Sequence, residues 1–338
     1  MSLEAISPFP AVEARGTRVS PVSWAFLLRS GLGYVLLFQS LGMWLNLREI
    51  MGPDGIVPSS LAELVEPWWQ PRVGWFATLL AHAGLEGQKA YIFCFALYTI
   101  LLVLLVLNFR PKLTSLLVFA LHLVILGSNR FSIYGIDIFA SVGLFYCVLA
   151  PAGLPEGSNT IWRSSLVQRL LQFHMVVVYV TSGLAKSLGS QWWNGEAIWL
   201  AVGMPALRGV VDARPLVSAF PALARLAGFS VLILEIAYPL FMLPKVTRRV
   251  WLPLIIAMHL GFGLFLNLWS FALIMIVLNI CAFGSQYATC LLGRLSGWDS
   301  ALQLAEKQAR KPSLQIGQAS QECASFLRNT VLRLANGN

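Results

Sequence analysis

The chain carries few groups that can do chemistry. Most lie inside apolar runs, where an ionisable side chain is costly and tends to face a bundle interior or a wet cavity. The run from Leu166 to Leu188 holds Gln172, Tyr179 and Lys186 at seven-residue intervals, which stacks them on one helix face, with His174 off that stripe. Lys186 sits at the end of its run. It either snorkels, its ammonium reaching water past the apolar stem, or it is desolvated and acts as a base or nucleophile. Glu235, within Leu234-Glu235-Ile236-Ala237-Tyr238-Pro239, is a lone carboxylate between apolar neighbours. It needs a partner or a proton, and His259 in the next run is a candidate partner. Asp137, just after Tyr134 and Gly135, opens another run and reads as a helix cap or a site residue. Arg29, near the start of the first run, reads as snorkelling.

Other chemistry is missing from the sequence. His82, His122, His174 and His259 are scattered, with no HExxH pair, no glycine-rich phosphate loop and no G-x-S-x-G elbow. Cys94, Cys147 and Cys281 fall in apolar runs and read as small buried hydrophobes, while Cys290 and Cys323 fall in the polar C-terminal stretch. Without a CxxC pair, thiol–disulfide exchange and a zinc ribbon are excluded, and no metal site is expected.

The elements that carry these residues are set by composition. Of 338 residues 57% are apolar and only 12% charged, half the charge of a soluble domain, and the mean hydropathy is +0.70. Eight apolar runs follow one another: Ser23–Leu47, Ala90–Phe109, Leu113–Gly127, Ile133–Ala150, Leu166–Leu188, Leu226–Leu243, Val250–Leu266 and Leu268–Phe283. A spanning helix takes roughly 17–25 residues. The run Leu113–Gly127 is short and must borrow polar flanks or stop short of crossing. Lipid leaves backbone groups without partners, and the alternation of a β-barrel is missing. The predicted fold is therefore all-α, a polytopic transmembrane bundle of about eight spans, with short interfacial helices at Val73–His82 and Ala197–Met204.

Topology follows from Lys and Arg. With eight spans and the N-terminus in the cytoplasm, fourteen of the 24 fall on cytoplasmic segments, seven on outer segments, and Arg29, Arg169 and Lys186 within spans. The short loops holding Arg110 with Lys112, and Lys245 with Arg248 and Arg249, carry most weight. Both termini are thus expected in the cytoplasm. The net charge of +9 serves topology and anionic lipid heads rather than nucleic acid. Residues 1–22 read as a disordered cytoplasmic tail with no cleavable signal, 23–287 as the membrane domain and 288–338 as a cytoplasmic tail. The pairs Trp68-Trp69 and Trp192-Trp193 suit the water–lipid boundary.

The stretch Tyr179-Val-Thr-Ser-Gly183-Leu-Ala-Lys186, followed by Trp192-Trp193-Asn-Gly195-Glu-Ala, resembles the signature of the HTTM family, bacterial membrane proteins related to the vitamin K-dependent gamma-carboxylase. Asn129 followed by Tyr134-Gly135-x-Asp137 and Pro151, the Glu235 span ending at Pro244, and Met258-His259 fit the same pattern, over roughly residues 20–287. The resemblance implies a bacterial cell-membrane protein in which Lys186 is the base that deprotonates a reduced quinone, supported by Glu235 and His259. It places Gln172, Tyr179, Asn129, Arg130, Asp137, Trp192 and Trp193 around substrate or cofactor. The sequence departs from the carboxylase where Asn129-Arg130-Phe131 stands for a segment with a catalytic histidine, since arginine cannot shuttle a proton. The chain also has no room for the carboxylase's large luminal domain.

Three functions are carried forward: a quinol-using membrane enzyme, a non-enzymatic accessory protein for maturation or export of a secreted peptide, and a small-molecule carrier. The lack of internal repeats counts against the carrier.

Overall fold

The computed structural model describes residues 23–65, 67–129, 133–152 and 158–285. Arg130 and the tails expected at 1–22 and 288–338 lie outside the described residues. The chain divides into two compact units, Met1–Thr289 and Cys290–Asn338, and every described residue belongs to the first.

The described residues are helical, with no strand among them. They form α1 (Trp24–Leu45), α2 (Leu47–Ile50), α3 (Ser59–Val65), α4 (Ala77–His82), α5 (Gln88–Val106), α6 (Pro111–Ser128), α7 (Gly135–Leu149) and α8 (Ser158–Ser187). Then come α9 (Ser190–Asn194), α10 (Glu196–Gly203), α11 (Arg214–Ala219), α12 (Pro221–Ile236), α13 (Tyr238–Met242), α14 (Lys245–Leu266) and α15 (Trp269–Asn279), the last running into a π-helical turn at Ile280–Gly284. Among the described residues four helices are long and apolar enough to cross a bilayer: α1, α5, α6 and α14. Gly135–Leu149 and Trp269–Gly284 are apolar but shorter.

The short run at 113–127 does borrow its flanks: α6 starts on Pro111, which fits the first helical turn because its missing N–H has no partner there anyway. The run Leu226–Leu243 is split instead. Pro239 has no N–H to offer the carbonyl of Glu235, so α12 ends at Ile236 and α13 restarts at Tyr238. Between α14 and α15 the chain reverses on Asn267 at φ +55°, a left-handed position that asparagine tolerates.

The helices pack antiparallel along the chain. α1 lies against α5 and α7, α5 against α6, α6 against α7, and α14 against α15. Trp44 on α1 bonds Thr99 while Ser30 bonds the Val106 carbonyl; Lys112 on α6 reaches the Val148 carbonyl at the far end of α7. α15 closes on both α1 and α8. The core is made of leucines 28, 32, 36, 102, 105, 144 and 278 with Phe95, Ile136, Tyr179 and Tyr238. Outside it, α5, α8 and α12 expose Ile100, Phe173 and Leu226, a surface that suits hydrocarbon rather than water.

Arg29 corrects the snorkelling expectation. Its side chain is 1% exposed. The guanidinium donates to Asn108 Oδ1 at 2.8 Å, the Pro151 carbonyl at 3.0 Å and the Ala152 carbonyl at 3.4 Å, pinning two turns to α1.

Candidate functional site

Lys186 and Glu235 meet. One face of α8 presents Ser182 and Lys186 a turn apart, and Gly183 between them lets α12 approach almost backbone to backbone. A Cβ at Gly183 would lie 2.8 Å from Ile236 Cγ1, 2.9 Å from Glu235 Cβ and 3.0 Å from the Ile236 amide nitrogen. Across that contact Lys186 Nζ donates to Glu235 Oε1 at 2.9 Å and Oε2 at 2.7 Å, and also to Ser182 Oγ. The pair is asymmetric in burial: the lysine side chain is 23% exposed, the glutamate 7%. The ammonium also lies 5.3 Å from the centre of the Trp192 ring, in cation–π range. Trp192 is brought there by the turn after α9. Gly195 stands at φ +85°, and a Cβ on it would fall 2.5 Å from the Arg225 amide, so only glycine seats this turn on α12.

His259 is bonded elsewhere than expected: its partner is Tyr179, not Glu235. Tyr179 Oη lies 2.6 Å from His259 Nε2. The directions around Asn279 can be assigned. Asn279 Nδ2 donates to the Met275 carbonyl, an obligate acceptor, and to Tyr179 Oη at 2.8 Å, which fixes the amide orientation. Tyr238 then donates to Asn279 Oδ1 at 2.6 Å, and Tyr179 Oη, which accepts from Asn279, shares with His259 Nε2 a hydrogen bond whose direction is set by the imidazole tautomer. His259 Nδ1 is buried and has no hydrogen-bond partner among the described residues. The four groups form a hydrogen-bonded chain from α13 through α15 and α8 to α14. The two tyrosine rings stack at 4.1 Å, and Phe262 and Phe271 stand edge-on to the imidazole. The ion pair and the chain share a helix, since Tyr179 and Lys186 both stand on α8.

The remaining sequence-predicted residues divide. Gln172 donates to the Ala282 carbonyl at 2.7 Å, and Gln168 to the Cys281 carbonyl at 2.9 Å; both tie α8 to the π-helical turn. Trp193 faces away from the pair, its indole N–H on the Ser187 carbonyl and its ring beside Phe229. Asn129 and Asp137 belong to a separate cavity of about 570 Å³ at the ends of α1, α5, α6 and α7. Asp137 does serve as a cap: its Oδ2 accepts from the Tyr134 amide at 3.0 Å, while Oδ1 accepts from Gln39 Nε2 at 3.2 Å. Also on this cavity are Tyr98 and His122, bonded at 2.9 Å, with His122 Nε2 3.4 Å from the Asp137 carbonyl. The sequence reading missed Gln39, Tyr98 and His122 here; the signal was available in His122 and Asp137, polar groups within successive apolar runs.

A second cavity, about 400 Å³, is an apolar groove between α10, α11, α12 and α14, walled in part by Val231, Leu234, Met258 and Phe262. Lys186, Glu235 and His259 line neither cavity, but Leu234 and Met258 directly precede two of them. Among the described residues no group of three or more His, Cys, Asp or Glu is placed to hold a metal ion.

No family model matches the chain, and no curated protein or solved structure is found to resemble it.

Proposed function

We propose that this is an integral membrane protein of about eight spans with both termini cytoplasmic, and that its Lys186–Glu235 pair takes a proton from a hydroxyl of a lipid-soluble substrate of quinol type. Eight passes follow if α7, α8, the broken α12–α13 segment and α15 cross alongside the four long apolar helices. Positive charge on the 110–112 and 245–249 loops supports the orientation.

The observation that carries the reading is a lysine–glutamate pair set between two helices of such a bundle, with the amine partly open. All three ammonium protons are engaged, two by the carboxylate and one by Ser182. An ion pair stripped of hydration lies closer in energy to its neutral form than it does in water. Movement of one proton from Nζ to a Glu235 oxygen frees the amine lone pair. That amine takes the substrate's hydroxyl proton and becomes an ammonium again, facing the new oxyanion. One proton leaves the substrate, and the pair ends one proton richer. The quinol supplies the acidic hydroxyl and any redox step that follows. The residues present fit such a molecule: Trp192 offers an aromatic face beside the amine, and the groove walled by Leu234 suits an apolar chain. Tyr179 and His259 hold α8 and α14 in register around the pair.

The test is infrared difference spectroscopy on protein in lipid nanodiscs, with a short-chain quinol added at neutral pH. A protonated-carboxyl band should appear, and should be lost in Glu235→Gln and in Lys186→Met. If the quinol leaves the carboxyl region unchanged, the proton-transfer reading fails, and the accessory role for a secreted peptide takes its place.

A further inference from the structure

The cavity at the ends of α1, α5, α6 and α7 has a use apart from the Lys186 site. Its volume, about 570 Å³, is that of a small-molecule pocket. Its wall is apolar and aromatic, with Phe38, Phe95, Tyr98 and Tyr134 among the lining side chains. Into this wall are set Asp137 and Asn129, 7% and 9% exposed. No lysine or arginine is among the described lining residues. Asp137 accepts from one side-chain amide and one backbone amide, both neutral, and has no cation at ion-pair distance among the described residues. The Asn129 side chain, nine-tenths buried against the cavity, makes no hydrogen bond to any described residue.

A carboxylate removed from water without a counter-charge is expensive, and its two neutral donors fill only part of its accepting capacity. Among the described residues the element that would complete the site is a positive charge. Aromatic faces around a carboxylate are the surroundings in which ammonium groups are recognised, the rings attracting the cation and the acid neutralising it. We propose that this cavity binds an organic ammonium with an apolar body: the charged nitrogen at Asp137, a polar substituent at Asn129 and the hydrocarbon against Phe38 and Phe95. The site needs nothing from Lys186 or Glu235 and stands whether or not those residues transfer protons.

The test uses 2-phenylethylammonium and its neutral isostere 2-phenylethanol, titrated calorimetrically into the full chain in nanodiscs. The amine should bind at least about tenfold more tightly than the alcohol, the difference being the charge contact alone. Asp137→Asn should abolish that preference. Because Asp137 also caps α7, a second variant covers the case in which this one does not fold. A Cβ added at Gly42, which lines the cavity, meets nothing within 4 Å, so the backbone there accepts a side chain, and Gly42→Phe places a ring at the cavity wall. It should weaken the amine severalfold while leaving the unliganded protein folded. Equal binding of amine and alcohol, no binding of either, an amine preference that survives Asp137→Asn, or amine affinity unchanged by Gly42→Phe would each overturn the proposal.

Discussion

Replacing Gly183 by alanine tests whether the α8–α12 contact is what places Lys186 against Glu235. The added methyl would meet Ile236 Cγ1 at 2.8 Å, Glu235 Cβ at 2.9 Å and the Ile236 nitrogen at 3.0 Å. Carbon atoms settle at about 3.5–4.0 Å, so α12 must back away by roughly 0.5–1 Å. One of the atoms met is backbone, so a rotamer change cannot relieve the clash. Overpacking of this kind costs about 1–3 kcal/mol, offset by about 1 kcal/mol from replacing glycine within a helix. The net expectation is a loss of about 0–2 kcal/mol. Gly42→Ala is the matched control: the same substitution, also in a helix, where the new Cβ meets nothing within 4 Å. It should gain about 0.5–1 kcal/mol. Equilibrium unfolding of both variants in mixed detergent micelles measures the difference, which should be roughly 1–3 kcal/mol. If the two variants shift stability equally and in the same direction, the close contact is not what holds these helices together.

Glu235→Gln leaves the Lys186 ammonium facing a neutral amide; with the lysine side chain 23% exposed, the loss should be about 1–3 kcal/mol by the same unfolding assay, less than for a fully buried pair. Asn279→Leu removes the acceptor of Tyr238 and a donor to Tyr179 from a residue with no exposure, and should cost about 2–4 kcal/mol, more than Gln172→Leu, which strips a single bond from the Ala282 carbonyl. Outside the helices that cross the bundle, Arg214 beside Asp212 depresses that carboxyl to about 2. A depressed carboxylate favours the folded loop at pH above its usual value, an effect lost as pH falls through about 2. A carbon-13 titration should show Asp212 ionised at pH 3, and Arg214→Ala should move its midpoint back up.

The sequence already held the long helices, because runs such as Ala90–Phe109 are apolar all round and need no knowledge of neighbours. It also held Lys186 and Glu235, since charges inside apolar runs stand out singly. What it could not supply was pairing. The sequence offers His259 as the partner for Glu235, whereas Lys186 takes that place, and the outcome depends on Gly183, whose role exists only once α12 is beside it. Tyr98, Gln39 and His122 escaped for a related reason. Each is unremarkable in its own helix, and their meeting with Asp137 is a product of antiparallel packing of α1, α5, α6 and α7. Arg29 misled because snorkelling suits a charge near a helix end, whereas the turns at Asn108 and Pro151 fold back to receive it.

That arginine has a consequence for how the protein is made. Its three acceptors are Asn108, Pro151 and Ala152, 79 to 123 residues further along the chain. When α1 first leaves the ribosome none of them exists, and the guanidinium has only water or lipid phosphate to turn to. Arg29 therefore lacks its acceptors until the turns before α6 and after α7 have been synthesised. The contacts that bury this arginine are completed by segments that follow α1 in the chain.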